Sequence, residues 1–202
     1  MSKLLTIAGL LFCNMDGLLA QNLDLHFNLG RFTISDQRAI ESPSVGLNAN
    51  LGFFYQVDNH WSMGVSLNRS WNNYYRESKA DTPVMGIPLP LEGTLTSDHF
   101  SFMVNRKIEL PFSIFLEGGV GIGLFVDQKN YYVPVYFEEE TQMYRGFFNV
   151  DDYTQGITFP AQFSLSKEFL NKWTLGIQGA IYYDQFFKRR GRYFGPRLGF
   201  YI

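Results

Sequence analysis

Hydrophobic and polar residues alternate along this chain in eight separate segments. In the clearest segment, residues 112–126, the even positions are mostly aliphatic or aromatic and the odd positions are mostly Gly, Ser or Glu. A period of two is typical of a β-strand that has one apolar face and one polar face. The other seven segments are residues 23–30, 45–57, 61–68, 100–107, 157–165, 173–181 and 197–202. The pattern predicts an all-β chain with eight strands.

The connections between these segments are alternately short and long. The second, fourth and sixth connections are short and lie at residues 58–60, 109–111 and 167–172, whereas the third and fifth cover residues 73–98 and 127–155. This asymmetry predicts an eight-stranded antiparallel up-and-down transmembrane β-barrel with short periplasmic turns and longer extracellular loops. An even number of strands places both ends of this single domain on the periplasmic side.

The composition of the polar face indicates which side of the barrel faces lipid. A soluble lipocalin-type barrel also alternates, but its polar face is a water-exposed surface rich in Lys and Glu. Here the polar positions are mostly Gly, Ser, Asn, Gln and Thr, and charged residues make up only 18% of the chain. Aromatic residues gather at segment ends, as at Trp61, Trp71 and Trp173, which is typical of two interfacial belts. We therefore expect the apolar face to contact lipid and the polar face to line a narrow lumen.

The N-terminus has the features of a secretory signal. Lys3 precedes an apolar stretch at residues 4–12, and Ala20 ends a plausible cleavage site before Gln21. The alternative interpretation is a buried N-terminal strand or helix. Residues 1–20 are predicted to be removed together with Cys13, the only cysteine, so that the mature chain of residues 21–202 has no thiol.

The last ten residues resemble the terminal-strand signal by which outer-membrane barrels are recognised by their assembly machinery. Tyr193, Gly195, Leu198 and Phe200 match that signal, whereas Pro196 departs from it because proline lacks a backbone donor. With its eight strands, the mature chain resembles the small outer-membrane β-barrels that include the OmpX-, OmpA- and OmpW-like proteins. The resemblance implies a Gram-negative outer-membrane location, contact with outer-membrane lipid and a biogenesis partner in the barrel assembly machinery. It implies no activity, because a fold does not define a function.

Several ionisable residues fall on the polar, inward face. They are Asp24, His26, Lys107, Glu117, Asp184 and Arg197. These groups are interpreted either as an ion path or as a salt-bridge network, and we predict the network because a closed interior holds charge by pairing it. Bulky Phe54, Phe115, Phe125 and Tyr201 share this face, which predicts a sealed lumen.

Candidate catalytic residues are few. His99-Phe100-Ser101 resembles the His-x-Ser of the lipid A deacylase barrels, in which a His and a Ser on one strand face could form a base and nucleophile pair. That family has Asn where this chain has Phe102 and Glu where it has Ser113, and His99 falls on the lumen side. We predict no enzymatic activity. The sequence also has no metal or phosphate-binding motif, predicts no cofactor, and its net charge of −2 does not indicate nucleic-acid binding.

The longest connection carries the strongest functional prediction. Two β-prone aromatic runs flank the acidic residues 138–140, which predicts a hairpin that projects beyond the membrane and binds a protein partner. The predicted partner-binding residues are Tyr131, Tyr132, Tyr136, Phe137, Tyr144, Phe147 and Phe148. The alternative is that loops 73–98 and 127–155 pack on each other as a lid. We predict a non-enzymatic membrane scaffold whose extracellular loops 73–98 and 127–155 bind a partner or ligand, with a subunit of a secretion or uptake complex and an OmpW-like conduit for hydrophobic solutes as alternatives.

Overall fold

Eight long antiparallel strands close into one barrel in the computed structural model, which describes residues 23–34, 45–75, 92–134, 137–138, 140, 143–144, 147–169 and 172–202. The barrel strands are β1 (Leu23–Ile34), β2 (Val45–Gln56), β3 (Trp61–Tyr75), β4 (Glu92–Leu110), β5 (Ile114–Pro134), β8 (Phe147–Phe169), β9 (Trp173–Asp184) and β10 (Arg189–Tyr201). Each strand pairs with the next barrel strand along the chain, and β10 pairs with β1 to close the ring. The predicted fold is confirmed. The predicted signal, residues 1–20, lies outside the described residues.

A second, very small sheet lies between β5 and β8 in the chain. It consists of β6 (Phe137–Glu138) and β7 (Met143–Tyr144), which pair with each other. Within the described part of the chain, no helix is long and apolar enough to cross a membrane.

The strand register sets the width of the barrel. Paired residues can be followed around the ring from Leu23 through Tyr55, Met63, Val104, Val120, Ala161, Ile181 and Arg192 to Thr33. The path returns to β1 ten residues beyond its start, between Leu23 and Thr33. For eight strands this stagger corresponds to a tilt of about 40° and a backbone radius of about 8 Å. A lumen of that width is filled by the side chains of its own wall.

The two faces of the wall are sharply different, as the alternation predicted. On β2, Asn48, Asn50 and Phe54 are buried in the lumen, whereas Leu47 and Leu51 are exposed on the outside. The same division runs around the barrel, since the exposed large hydrophobic residues lie on the outer positions of every barrel strand. A closed wall that is apolar outside and polar inside suits a membrane, because closure leaves no unpaired strand edge in contact with lipid.

The strands are longer than the hydrophobic pattern predicted. At the inner end β4 continues to Leu110 and β8 to Phe169, into the predicted connections 109–111 and 167–172, and the difference is larger at the outer end. The predicted loop 73–98 is wrong at both ends, because β3 continues to Tyr75 and β4 begins at Glu92. The predicted loop 127–155 is likewise replaced by strand as far as Pro134 and again from Phe147. The outward positions there include Thr94, Thr96 and Gln128, which are polar because they lie beyond the lipid. Backbone hydrogen bonding between the strands continues beyond the last apolar outward position.

The inner ends are joined by short connections, as predicted. Asp58 organises the connection between β2 and β3, because its Oδ1 accepts hydrogen bonds from the backbone N–H groups of His60 (2.6 Å) and Trp61 (2.8 Å). Between β4 and β5, Phe112 and Ser113 have positive φ angles of 68° and 56°. Residue 112 therefore belongs to the turn and not to the strand, which corrects the predicted start of that segment.

Candidate functional site: the lumen and the outer rim

The inner half of the lumen is built around one buried cation, Arg197 on β10. Its Nη1 donates a hydrogen bond of 2.6 Å to Glu117 Oε2 on β5, and its Nη2 lies 3.2 Å from Asp24 Oδ2 on β1. The Arg197 side chain is only 2% exposed, and those of Asp24 and Glu117 are 6% and 10% exposed. The barrel wall thus brings three charges from three strands to one point, where two carboxylates share one guanidinium.

Two further predicted residues lie beside this centre. His26 Nδ1 accepts a hydrogen bond of 3.2 Å from Arg197 Nη2, and its ring stacks on Phe54 at 5.0 Å. Lys107 Nζ donates to the Tyr201 hydroxyl at 3.0 Å and lies 3.9 Å from the centre of the Phe115 ring. The structure therefore assembles Asp24, His26, Glu117 and Arg197 by direct contact and places Lys107 at their periplasmic edge.

Asp184 is not part of this network, so the prediction that it belongs to the lumen charge network is wrong. It ends β9 at the opposite, outer end of the barrel. There its Oδ1 accepts hydrogen bonds from the backbone N–H groups of Phe186 (2.8 Å) and Lys188 (2.9 Å). A carboxylate at the last position of a strand is free to accept bonds from the turn that follows, and this local geometry replaces the expected contact across the lumen.

The outer half of the lumen contains a second polar cluster that the sequence did not predict. Asp127 on β5 accepts hydrogen bonds from the Ser97 hydroxyl and from Arg190 Nη2. The Ser97 Oγ also lies 3.1 Å from His99 Nε2, and the Arg190 guanidinium lies 4.0 Å from the centre of the Phe125 ring. Asp127 would have been found by extending the alternation of β5 beyond Val126.

A group of apolar and aromatic side chains lies in the lumen beside this cluster. It consists of Phe32, Ile34, Leu95, Ala180, Tyr182 and Tyr193, and Tyr131 packs against it. The ring of His99 lies 4.1 Å from that of Tyr182, which joins the two groups. Tyr131 was predicted to be a partner-binding residue on a free loop. The free loop is wrong at this residue, because β5 is still paired at Tyr131 and its side chain packs against this outer lumen cluster. Partner binding by Tyr131 stays a prediction.

The arrangement around His99 does not form a nucleophilic site of the deacylase kind. His99 and Ser101 are 3% and 2% exposed and face the lumen. The hydroxyl near His99 Nε2 belongs to Ser97, and Asp127 contacts that hydroxyl and not the His99 ring. Among the described residues, no group of three or more His, Cys, Asp or Glu side chains is placed to hold a metal ion.

The predicted projecting hairpin is present in the backbone. Pairing between β5 and β8 continues past Asp127↔Thr154 to Pro134↔Phe147, and β6 and β7 pair farther along the same connection. Tyr136 and the side chains of Tyr132, Phe137, Tyr144, Phe147 and Phe148 lie outside the described residues. Tyr153, on the outer face of this hairpin, is 64% exposed.

The predicted assembly signal forms the seam of the barrel. Tyr193 and Gly195 face the lumen, and Leu198 is exposed on the outside with Phe200 half-buried beside it. Pairing of β10 with β1 runs to Asn28↔Arg197 and resumes at Arg31↔Phe194, so it is interrupted around Pro196. The Asn28 amide donates hydrogen bonds to the carbonyls of Gly195 (2.9 Å) and Pro196 (2.7 Å) and holds the two strands together there.

A shallow groove of about 350 Å³ lies on the outer face of β1 to β4. Phe27, Leu51 and Leu67 form much of its wall, and the Arg69–Asp98 ion pair lies at its outer end. The Arg69 Nη2 atom lies 2.6 Å from Asp98 Oδ2, and both side chains are about half exposed.

Comparison with known proteins agrees with the fold. The chain is similar to the crystal structure of Neisserial surface protein A, with a TM-score of 0.59 and 7% identity over 89% of this chain and 97% of that chain. It is also similar to Ail, the attachment invasion locus protein of Yersinia pestis, solved in complex with the heparin analogue sucrose octasulfate. Here the TM-score is 0.51 and the identity 9%, over 89% of this chain and 99% of that one. At such identities the likeness concerns the fold, and it confirms the eight-stranded outer-membrane barrel.

Comparison by sequence reaches less of the chain. A family model described as "Putative MetA-pathway of phenol degradation" matches residues 135–202, which is less than half of the chain. No curated protein matches the chain in sequence. The fold, together with the apolar outer surface, indicates an outer-membrane location.

Proposed function

We propose that this protein is a non-enzymatic outer-membrane scaffold that binds a protein partner through its β5–β8 hairpin. The observation that carries the proposal is the combination of an occupied lumen with a paired hairpin that extends beyond the barrel rim. The Arg197 network occupies the inner half of the lumen, and the cluster around Tyr182 and Tyr193 occupies the outer half. A wall of this radius leaves no wide passage beside them, so function is expected at the outer surface.

The shape of the hairpin supports this role. A projecting pair of strands presents free edges and aromatic side chains, which are the features that protein partners use for strand pairing and for anchoring. Tyr131 packs on the outer lumen cluster and thereby fixes the base of the hairpin to the barrel. A rigid base reduces the entropy lost when the tip is ordered by a partner.

The test is to remove the tip of the hairpin and leave its base intact. Tyr132 and Asn149 face each other across the ladder, so residues 133–148 can be replaced by a short Gly-Ser turn without changing the register. The matched control replaces residues 76–91, between β3 and β4, by the same turn. Each variant is isolated from native membranes in mild detergent and its bound proteins are identified.

We expect both variants to assemble and to shift in mobility on boiling, and only the 133–148 variant to lose a partner that wild-type protein retains. If the 133–148 variant keeps every co-purifying protein, the hairpin is not the binding element and the proposal is wrong.

A conduit for hydrophobic solutes is the second candidate. The family model that matches residues 135–202 has a description that refers to phenol degradation, and phenol is a small aromatic compound. The occupied lumen argues against it. A deletion strain measured for uptake of a labelled monoaromatic compound separates the two candidates. Uptake that is unchanged by the deletion supports the scaffold, and a loss of uptake restored by the wild-type gene would support the conduit.

A further inference from the structure

Two arginines lie side by side on the outer face of the barrel near its outer rim. Arg31 on β1 is opposite Phe194 on β10, and Arg192 on β10 is opposite Thr33 on β1. The two positions are therefore diagonal neighbours on the same face of adjacent strands, and both side chains are exposed. Long side chains in this relation are within reach of each other.

The surroundings of this arginine pair are apolar. Arg31 has Leu47 opposite it on β2, and Arg192 has Ile181 opposite it on β9. Within the described part of the chain, no carboxylate forms an ion pair with either arginine. Two like charges together on a lipid-facing surface repel each other and are poorly solvated. An anionic ligand would compensate these two charges.

Three other arginines of the barrel each have a partner within the protein. Arg69, also on the outer face, is paired with Asp98, and Arg106 at the inner rim lies 5.6 Å from the centre of the Trp61 ring. Arg190, two residues before Arg192, turns into the lumen and pairs with Asp127. Arg31 and Arg192 are thus distinguished by their environment and not only by their charge.

The β9–β10 turn, which leads into the strand of Arg192, carries a cation and two exposed rings. Asp184 fixes this turn through the backbone of Phe186 and Lys188, and Lys188 is exposed. Phe186 and Phe187 are 70% and 76% exposed. Phe187 stacks on Phe159 of β8 at 5.6 Å, on the lipid-facing surface. Exposed aromatic rings are characteristic of the level at which lipid headgroups meet acyl chains.

We propose that Arg31 and Arg192, with Lys188 of the β9–β10 turn, bind the phosphate of a phosphorylated glycolipid in the outer leaflet of the outer membrane. Arginine offers paired N–H donors that match a phosphate group, and its long side chain can reach upward to the headgroup level. The apolar neighbours, including Phe194 and Leu47, contact the acyl chains of the same lipid. This site is separate from the hairpin and does not depend on the proposed partner.

The test measures lipid binding to the folded protein by native mass spectrometry from dodecyl maltoside. The ligands are diphosphoryl lipid A, lipid A from which both phosphates have been removed, and inorganic phosphate alone. Wild-type protein is expected to bind diphosphoryl lipid A about tenfold more tightly than the dephosphorylated lipid, which corresponds to charge-assisted contacts to one phosphate. The comparison of the two lipids uses wild-type protein only, so it tests the proposal even if a substitution impairs folding.

Two double variants with the same change in net charge locate the site. Arg31→Gln with Arg192→Gln is expected to lose the preference for the phosphorylated lipid, and Arg69→Gln with Arg106→Gln is expected to keep it. Folding of each is checked by the mobility shift on boiling. The proposal is overturned if wild-type protein binds both lipids equally, if the two double variants lose the preference alike, or if inorganic phosphate displaces the lipid at similar concentrations. Removal of residues 133–148 is expected to leave lipid binding unchanged.

Discussion

At the scale of the residue, the buried charge network of the inner lumen depends on the side chain of Arg197. Arg197 pairs with both Asp24 and Glu117, and all three are almost fully buried. Ser164 adds a neutral partner, since its hydroxyl lies 3.3 Å from Glu117 Oε2. The cost of burying three charges is offset only while the set is complete, because a missing member leaves an uncompensated charge inside the wall.

Arg197→Met is therefore expected to lower the free energy of unfolding by about 3–5 kcal/mol. Urea unfolding of the protein in lipid vesicles, followed by the mobility shift, measures this loss. Arg69→Gln is the matched control, because the Arg69–Asp98 pair is half exposed and its loss is expected to cost less than about 1 kcal/mol.

A triple variant distinguishes charge balance from packing. Arg197→Met combined with Asp24→Asn and Glu117→Gln removes all three charges, and it is expected to regain much of the stability that the single variant loses. A triple variant as unstable as the single variant would indicate that the Arg197 side chain acts by filling space and not by neutralising charge.

The sequence predicted this centre because phase alone assigns Asp24, His26, Glu117 and Arg197 to the inner face. It failed for Arg190, which has the wrong parity for the lumen. The register of β10 shifts between Arg189 and Gly191, and such an irregularity turns one residue to the other face. No hydrophobic pattern marks that shift.

At the scale of the element, the short periplasmic connection between β2 and β3 depends on Asp58. Backbone hydrogen bonds, first from His60 and then from Trp61, lower the pKa of Asp58 below its usual value of 3.8. A lowered pKa in the folded state contributes stability above the unfolded-state pKa, and this contribution is lost as the pH falls through the folded-state pKa.

Asp58→Ala is expected to be less stable than wild type at neutral pH, with a difference that decreases as the pH falls below 4. Urea midpoints at a series of pH values measure this trend. Asp58→Asn is the control, since its side-chain oxygen still accepts hydrogen bonds but carries no titrating charge. A difference between Asp58→Ala and wild type that is the same at every pH would contradict a role for the carboxylate charge.

The pattern also explains why the strand ends were predicted less well than the strand centres. A period-two signal needs one apolar face and one polar face, and it fades where outward positions become polar, as at Thr96 and Gln128. The β3–β4 and β5–β8 ladders nevertheless continue to Glu92 and Pro134. Backbone pairing extends these elements beyond the membrane, and backbone pairing leaves little trace in side-chain composition.

At the scale of the whole molecule, closure and filling of the barrel follow from the same stagger. Glycines on β5 show how closely the wall packs, because a Cβ atom on Gly119 or Gly121 would collide with the Asn105 or Met103 side chain. Amide side chains continue the filling across the middle of the lumen, where Gln162 Nε2 donates to Asn105 Oδ1 at 2.9 Å and Gln178 Nε2 to Gln162 Oε1 at 3.2 Å. The molecule is a filled cylinder with an apolar surface, and the recognition elements that we propose lie at its outer rim.

The most direct test of this account is the electrical conductance of the folded barrel. Protein extracted from outer membranes, with its folding verified by the mobility shift on boiling, is reconstituted into planar lipid bilayers and recorded at steady voltage. The account predicts no steady conductance, because the Arg197 network and the outer aromatic cluster together fill the lumen. Stable single-channel steps that are carried by the folded band and abolished by boiling would contradict it.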